Sequence, residues 1–414
     1  PILDEYRSPA KAFPGVSRLT YELLSMTGSP RETLFDDVER TDSSPMRYGE
    51  NIFDFYNRID RPDWAHVRDE LESWYRCHPD PGGQLRGHFQ GKRHDQHVGA
   101  WWELYVYAFF RKLGYEITVH PELPNGRPDR PDFLISRDGS AAYVECKAVI
   151  ERSRTAVENA ILDATNTASH PDFVLELDIE SEGSQEPSAA KIRAAIHNWL
   201  QGLNADDEIA ARGAGKPEQT LRFPIGEWEL LYTAHPVPPD QRGTYGRLLG
   251  LHSQRVVMYD NPGLIKRSLK GKGKKYTGVE TPLDHPLIVA LDTTTVFIDD
   301  DEVDRALFGA TSVLFNPDGE PRFTRLPRAR NGYWCADPPA GTRVSAVMLG
   351  SNIQPYGVAQ DMPRMWINPW APVPVTETYG LATNILLDSD EVRRTGGTAV
   401  ASDVFGLPPN WPRG

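Results

Sequence analysis

The chain has 414 residues, and 58 acidic against 45 basic side chains leave a formal net charge of −13. That balance excludes a protein that coats nucleic acid through general basicity, so any nucleic-acid contact has to be local. The length predicts two or three modules, and 39% hydrophobic with 25% charged residues describes a globular chain.

Residues 1 to about 50 are polar and rich in turn formers, a lead-in rather than a core. A helix is predicted from Pro62, with Asp60 as its cap and Trp64, Val67, Leu71 and Trp74 at helical spacing. HPDPGG, from His78, ends it. Leu85 to His97 carries Arg86, His88, Lys92, Arg93, His94 and His97 and reads as a solvated loop, with phosphate contact as the alternative. Val98 to Leu113 is the strongest helix, its broad apolar face including Trp101, Trp102, Tyr105 and Phe109, with Gly114 as a stop. Glu103 lies at the border of that face.

Tyr115 to Val119 reads as a strand, and two more follow the loop HPELPNGRPDR. Phe133 to Ile135 and Ala142 to Val149 flank Asp138-Gly139, a strong hairpin signal. Side chains alternate along a strand, so Val144, Cys146 and Ala148 face a core while Tyr143, Glu145 and Lys147 share the other face. Asp132 stands where the first strand of the hairpin begins. Two carboxylates and a lysine are thereby brought to one sheet edge. The plain alternative is a surface hairpin with an exposed Glu-Lys pair, which contributes little.

Thr155 and Glu158 make a capping box ahead of a helix with Val157, Ala160, Ile161 and Ala164. Phe173 to Ile179 reads as a strand, Ser188 as the cap of another helix, and Glu229 to Ala234 as a further strand. NADDEIAARGAGKPEQ, between the last two, reads as an excursion. Arg255 to Met258 and Leu287 to Leu291 read as buried strands. Between them IKRSLKGKGKKY concentrates positive charge, and Gly271 and Gly273 make it read as a flexible loop. Lys270, Lys272, Lys274 and Lys275 are its candidates for a nucleic-acid backbone, with the arginines from Arg322 to Arg330 next. IDDDEVDRALFG reads as a capped helix, its acids matching the positive end of the helix dipole, with a second metal site as the lesser reading. Thr311 to Phe315 and Val344 to Leu349 are further strands.

Pro131-Asp132 and Glu145-Cys146-Lys147, set on a strand pair between helices, resemble the PD-(D/E)xK, or restriction-endonuclease-like, nuclease superfamily. The resemblance spans roughly residues 97 to 180. It implies an α/β (α+β) fold with an αβββαβ core at 97–235, a helical or irregular N-terminal region at 1–96 and a β-rich mixed accessory region at 236–414. It implies a magnesium (or manganese) ion held by Asp132, Glu145 and the backbone carbonyl of Cys146. Lys147 then orients or deprotonates water, or steadies the phosphorus, and Glu103 is the acid that reaches the metal from the preceding helix. The expected activity is a metal-dependent endonuclease acting on nucleic acid, with DNA and a defence, restriction or repair role preferred by analogy. An RNA-processing nuclease and a noncatalytic scaffold that kept the fold remain open, and a homodimer is one assembly this class allows. Three scattered cysteines, Cys77, Cys146 and Cys335, argue against a disulfide framework and fit a reducing cytoplasm. The opening residues show no signal peptide, and no apolar run is long enough to span a bilayer, so no membrane partner is expected.

Overall fold

The computed structural model describes residues 32–124, 128–150, 155–243, 247–253, 260–275, 283–294, 298–316, 319 and 322–413, with the side chains of 251–253 and 273–275 excepted. Leu34–Gly414 forms one compact unit. The lead-in to residue 31 and the strand expected at Arg255–Met258 lie outside the described residues.

The N-terminal third is helical: α1 (Ile52–Arg58), α2 (Pro62–Cys77), α3 (Gln84–Gln90) and α4 (His94–Lys112). Helix α2 begins on Pro62, whose fixed φ suits a first turn, but Arg61 rather than Asp60 occupies the cap. The segment read as a solvated loop is α3 and the start of α4, because Leu85, Phe89 and His97 are all buried. Gly114 (φ 84°) stops α4 as expected. Strands β1 (Glu116–Val119), β2 (Phe133–Arg137) and β3 (Ser140–Ala148) then form an antiparallel meander. Asp138 and Gly139 turn between β2 and β3 with φ of 51° and 83°, the left-handed pair such a turn requires.

An inserted module follows: α5 (Ala156–Asn166), β4 (Phe173–Ser181), α6 (Ala189–Leu200), α7 (Ala205–Gly213), β5 (Thr220–Ile225), β6 (Trp228–Pro236) and β7 (Leu249–Ser253). Its strands make their own sheet in the order β5-β6-β4-β7, over a core of their own with α5 and α6. Asn204 caps α7, so the expected excursion is a helix. The chain then returns through α8 (Asn261–Lys275), β8 (Leu287–Asp292), α9 (Asp300–Phe308), the ribbon β9 (Ser312–Phe315) with β10 (Phe323–Leu326), and the short pair β11 (Cys335–Ala336) with β12 (Pro339–Ala340). Last come β13 (Val344–Gly350), β14 (Arg364–Ile367), β15 (Ala382–Leu386), β16 (Val392–Thr395) and α10 (Ala401–Phe405).

The main sheet has the order β1-β2-β3-β8-β13-β14-β15-β16, with β8 parallel to both β3 and β13. It crosses the boundary expected at residue 235. On one face Val144, Cys146, Ile288, Ala290, Ala346 and Met348 pack with the aromatic side of α4. On the other, Tyr143, Val289, Leu291 and Val347 pack with Ile265 and Leu269 of α8 and Val303 and Leu307 of α9.

Two expectations are corrected here. Helix α5 and strand β4 were expected to complete the core around β1–β3, yet they belong to the inserted module. The strand beside β3 is β8, and the helix leading into it is α8. The reason is legible in the side chains: β4 is alternately buried and half-exposed, with Glu176, Asp178 and Glu180 on its open side. Such a strand cannot sit in a sheet covered on both faces, whereas β8 (LIVALD) is buried throughout. The second correction is that IKRSLKGKGKK is the body of α8, not a loop. Burial of Ile265 and Leu269 against the sheet outweighs two interior glycines, which cost about 1 kcal/mol each.

Candidate active site

The β2–β3 hairpin pairs Phe133 with Val144, which puts Asp132 beside the Glu145-Cys146 step of β3. Asp132 is fixed there by its Oδ2, which accepts the Cys146 backbone N–H at 2.6 Å. Glu145 alternates with Val144 and so lies under α8, where it has no exposed surface. A buried carboxylate needs a counter-charge. It comes from α8: Lys272 Nζ lies 2.8 Å from Glu145 Oε2 and 3.8 Å from Asp132 Oδ2.

Glu103 approaches from the other element. Next to it on α4, Trp102 donates its indole N–H to the Ala290 carbonyl at 3.0 Å and pins the helix to β8. Glu103 lies 3.9 Å from the buried His78 ring and within the field of Asp132, Lys272, Asp80 and Glu145. Asp80 itself is occupied in capping α3 through the Leu85 and Arg86 N–H groups.

These carboxyls are crowded. Burial first, and then the charge of Asp132, push Glu103 up to about 8. Burial and the charge of Glu145 push Asp132 up to about 7, against the lowering effect of Lys272 and the Cys146 N–H. Burial pulls the Lys272 ammonium down, but Asp132 and Glu145 more than reverse that, so it is held above its ordinary value. The Cys146 thiol is buried in the core on the α4 side, and desolvation raises it well above the usual thiol range. The side chain is thus unsuited to chemistry, leaving its backbone at the site.

Lys147 stands apart from this group. It is exposed, and among the described residues it makes no hydrogen bond or ion pair. The structure therefore brings together Asp132, Glu145 and Glu103, leaves Lys147 at the surface, and adds Lys272. The sequence did carry a signal for Lys272. Ile265, Leu269 and Lys272 follow helical spacing, so a lysine continues the buried stripe of α8. Of the other proposed cations on this helix, Lys270 is exposed, and the side chains of Lys274 and Lys275 lie outside the described residues.

The acids fit a divalent cation by charge, since three carboxyls are offset by one ammonium and two of them hold their protons unusually tightly. Magnesium prefers oxygen donors and keeps several waters, so one or two carboxylates suffice. Among the described residues no three His, Cys, Asp or Glu side chains form a ready-made metal cage.

The acids of α9 behave differently. Asp299 and Glu302 form a capping box. Asp300 pairs with Arg364 at 2.6 Å, and Asp304 takes Arg394 and the Trp366 indole at 2.8 Å each. Their work is capping and pairing. A cleft of about 750 Å³ lined by residues including Tyr115, Arg137, Glu377 and Tyr379 lies toward the far end of β2 from Asp132, and there Glu377 takes both Arg137 and the Tyr115 hydroxyl. Among the described residues no helix is long and apolar enough to cross a membrane.

Compared with protein-family models, with curated proteins and with solved structures, the chain gives no match.

Proposed function

We propose that the chain is a metal-dependent phosphodiester hydrolase of the restriction-endonuclease-like kind, acting on nucleic acid with DNA as the preferred substrate. The observation that carries this reading is the under-neutralised cluster of Asp132, Glu145 and Glu103 beside parallel strands β3 and β8. The order α4, β1, β2, β3, α8, β8 also supports it, since it repeats helix, three strands, helix, strand once the insertion is set aside.

Asp132 and Glu145 are the residues to hold a magnesium or manganese ion, with the Cys146 carbonyl beside them and Glu103 completing the charge. Such an ion, when bound, acidifies water and acts as a Lewis acid toward phosphorus oxygens. In hydrolysis the oxygen of water forms a bond to phosphorus, and the bond from phosphorus to the leaving oxygen breaks. The water loses one proton and the leaving oxygen gains one. The buried carboxyls orient the attacking water and accept its proton.

A second reading, a noncatalytic nucleic-acid-binding protein of the same fold, draws on the disengaged Lys147. Incubating the full chain with plasmid, linear DNA and RNA, with and without magnesium or manganese, separates the readings. Cleavage of DNA that needs the ion and is lost in Glu145→Gln is the expected result. Cleavage confined to RNA redirects the substrate, and no cleavage of any of the three rejects the hydrolase.

A further inference from the structure

We infer that Lys272, carried by α8, is the ammonium that works beside the site's carboxylates, and that Lys147 on β3 is dispensable to it. This deepens the hydrolase reading and rests on it.

The geometry is direct. Lys272 Nζ sits 2.8 Å from an oxygen of the fully buried Glu145 and 3.8 Å from Asp132. Its side chain is 18% exposed, so Lys272 is partly open to solvent, unlike Glu145. Lys147 is two residues beyond Glu145 on the same strand, and its side chain is exposed. An ammonium already held at the carboxylates costs little to position during the reaction, whereas a solvated lysine would have to be recruited.

Lys272 and a divalent ion share the cluster rather than displace one another: with the carboxyls ionised around a bound ion, three carboxylates against one ammonium leave two negative charges, the charge of one divalent cation. Lys272, held at the carboxylates, acts by charge on the phosphorus oxygens as they become more negative. Nothing beyond water is consumed.

The test uses the full chain, manganese binding by calorimetry, melting curves, and plasmid cleavage. Lys272→Met and Lys272→Gln should bind manganese as tightly as wild type or up to about tenfold more tightly, and lose cleavage by about 100-fold or more. Manganese should raise the melting temperature of both variants more than that of wild type. Gln keeps a hydrogen-bond donor for Glu145, so it carries the measurement where Met does not fold. Lys147→Ala should match wild type in all three measurements. Lys272 variants that cleave within about threefold of wild type, or that bind manganese more than about tenfold more weakly, overturn the assignment. So does loss of cleavage in Lys147→Ala. A wild type that neither binds manganese nor cleaves rejects the hydrolase reading itself, an outcome distinct from an active wild type matched by its Lys272 variants.

Discussion

Two clusters of acids among the described residues are built to opposite ends. At α9, Asp300, Asp301 and Asp304 are matched by Arg364, Arg394 and the Trp366 indole, and Asp299 and Glu302 close a capping box. At the β2–β3 hairpin, Asp132, Glu145 and Glu103 share Lys272. The acids of the first cluster are spent on capping a helix and on arginine and indole partners, contacts that stabilise the fold. In the second the acids are buried together, Glu145 wholly, and burial pushes Glu103 and Asp132 toward their protonated forms, which is the arrangement the proposed function draws on. Acid count alone does not separate them; the partners do.

The comparison breaks most visibly under substitution of a single carboxylate in each cluster. Glu145→Gln should abolish manganese binding by calorimetry and lower cleavage by about 1000-fold, as loss of a group acting in the transition state does. Asp301→Asn at α9 should leave cleavage within about twofold. Equal losses in both would erase the distinction.

Stability should respond in the reverse sense. Asp304→Ala leaves the buried Trp366 indole without its acceptor, and an unsatisfied buried donor costs about 1–3 kcal/mol. Chemical denaturation should show that loss. Glu103→Gln should not destabilise the metal-free protein at pH 8, because it removes a charge the fold does not favour.

Dependence on pH sharpens the same point. The Glu103 value is raised in the folded chain from about 4.5 to about 8. The native state therefore keeps a proton that the unfolded chain releases, and the stability Glu103 contributes is full below about pH 4.5 and is lost as pH climbs through about 8. Asp132 adds the same trend up to about 7. Melting curves in chelator should thus decline from pH 5 to pH 9, and Glu103→Gln should flatten the decline. Manganese should restore the most stability at the alkaline end, because ligands bind metal when deprotonated. The smallest effect belongs to Lys147→Ala, whose stability should lie within about 0.5 kcal/mol of wild type, as for other exposed side chains.

Local signals carried much of this into the sequence. Asp138-Gly139 fixed the hairpin, and with it the meeting of Asp132 and Glu145. Thr155 with Glu158 capped a helix as read, and Leu287 to Leu291 is the buried strand expected. What escaped is long-range. Nothing near Phe173 states that β4 pairs with β6 and β7, or that β3 waits for β8. The only local hint was the acids at Glu176, Asp178 and Glu180. The same limit hid Lys272, because glycines beside it suggested a loop, and the sheet that makes it a helix lies elsewhere in the chain.

The inserted module has a consequence for how the site comes into being. Glu145 and Lys272 are 127 positions apart, and the four-stranded sheet is made between them. During synthesis the acids emerge first and their counter-ion follows only after a whole second core has been written out. Contacts that distant close late, since the intervening chain must be ordered before they form. A product truncated within the insertion would carry Asp132 and Glu145 with no α8 to cover them. On the proposed function, such a product would lack the lysine held at its carboxylates, so the activity would await α8.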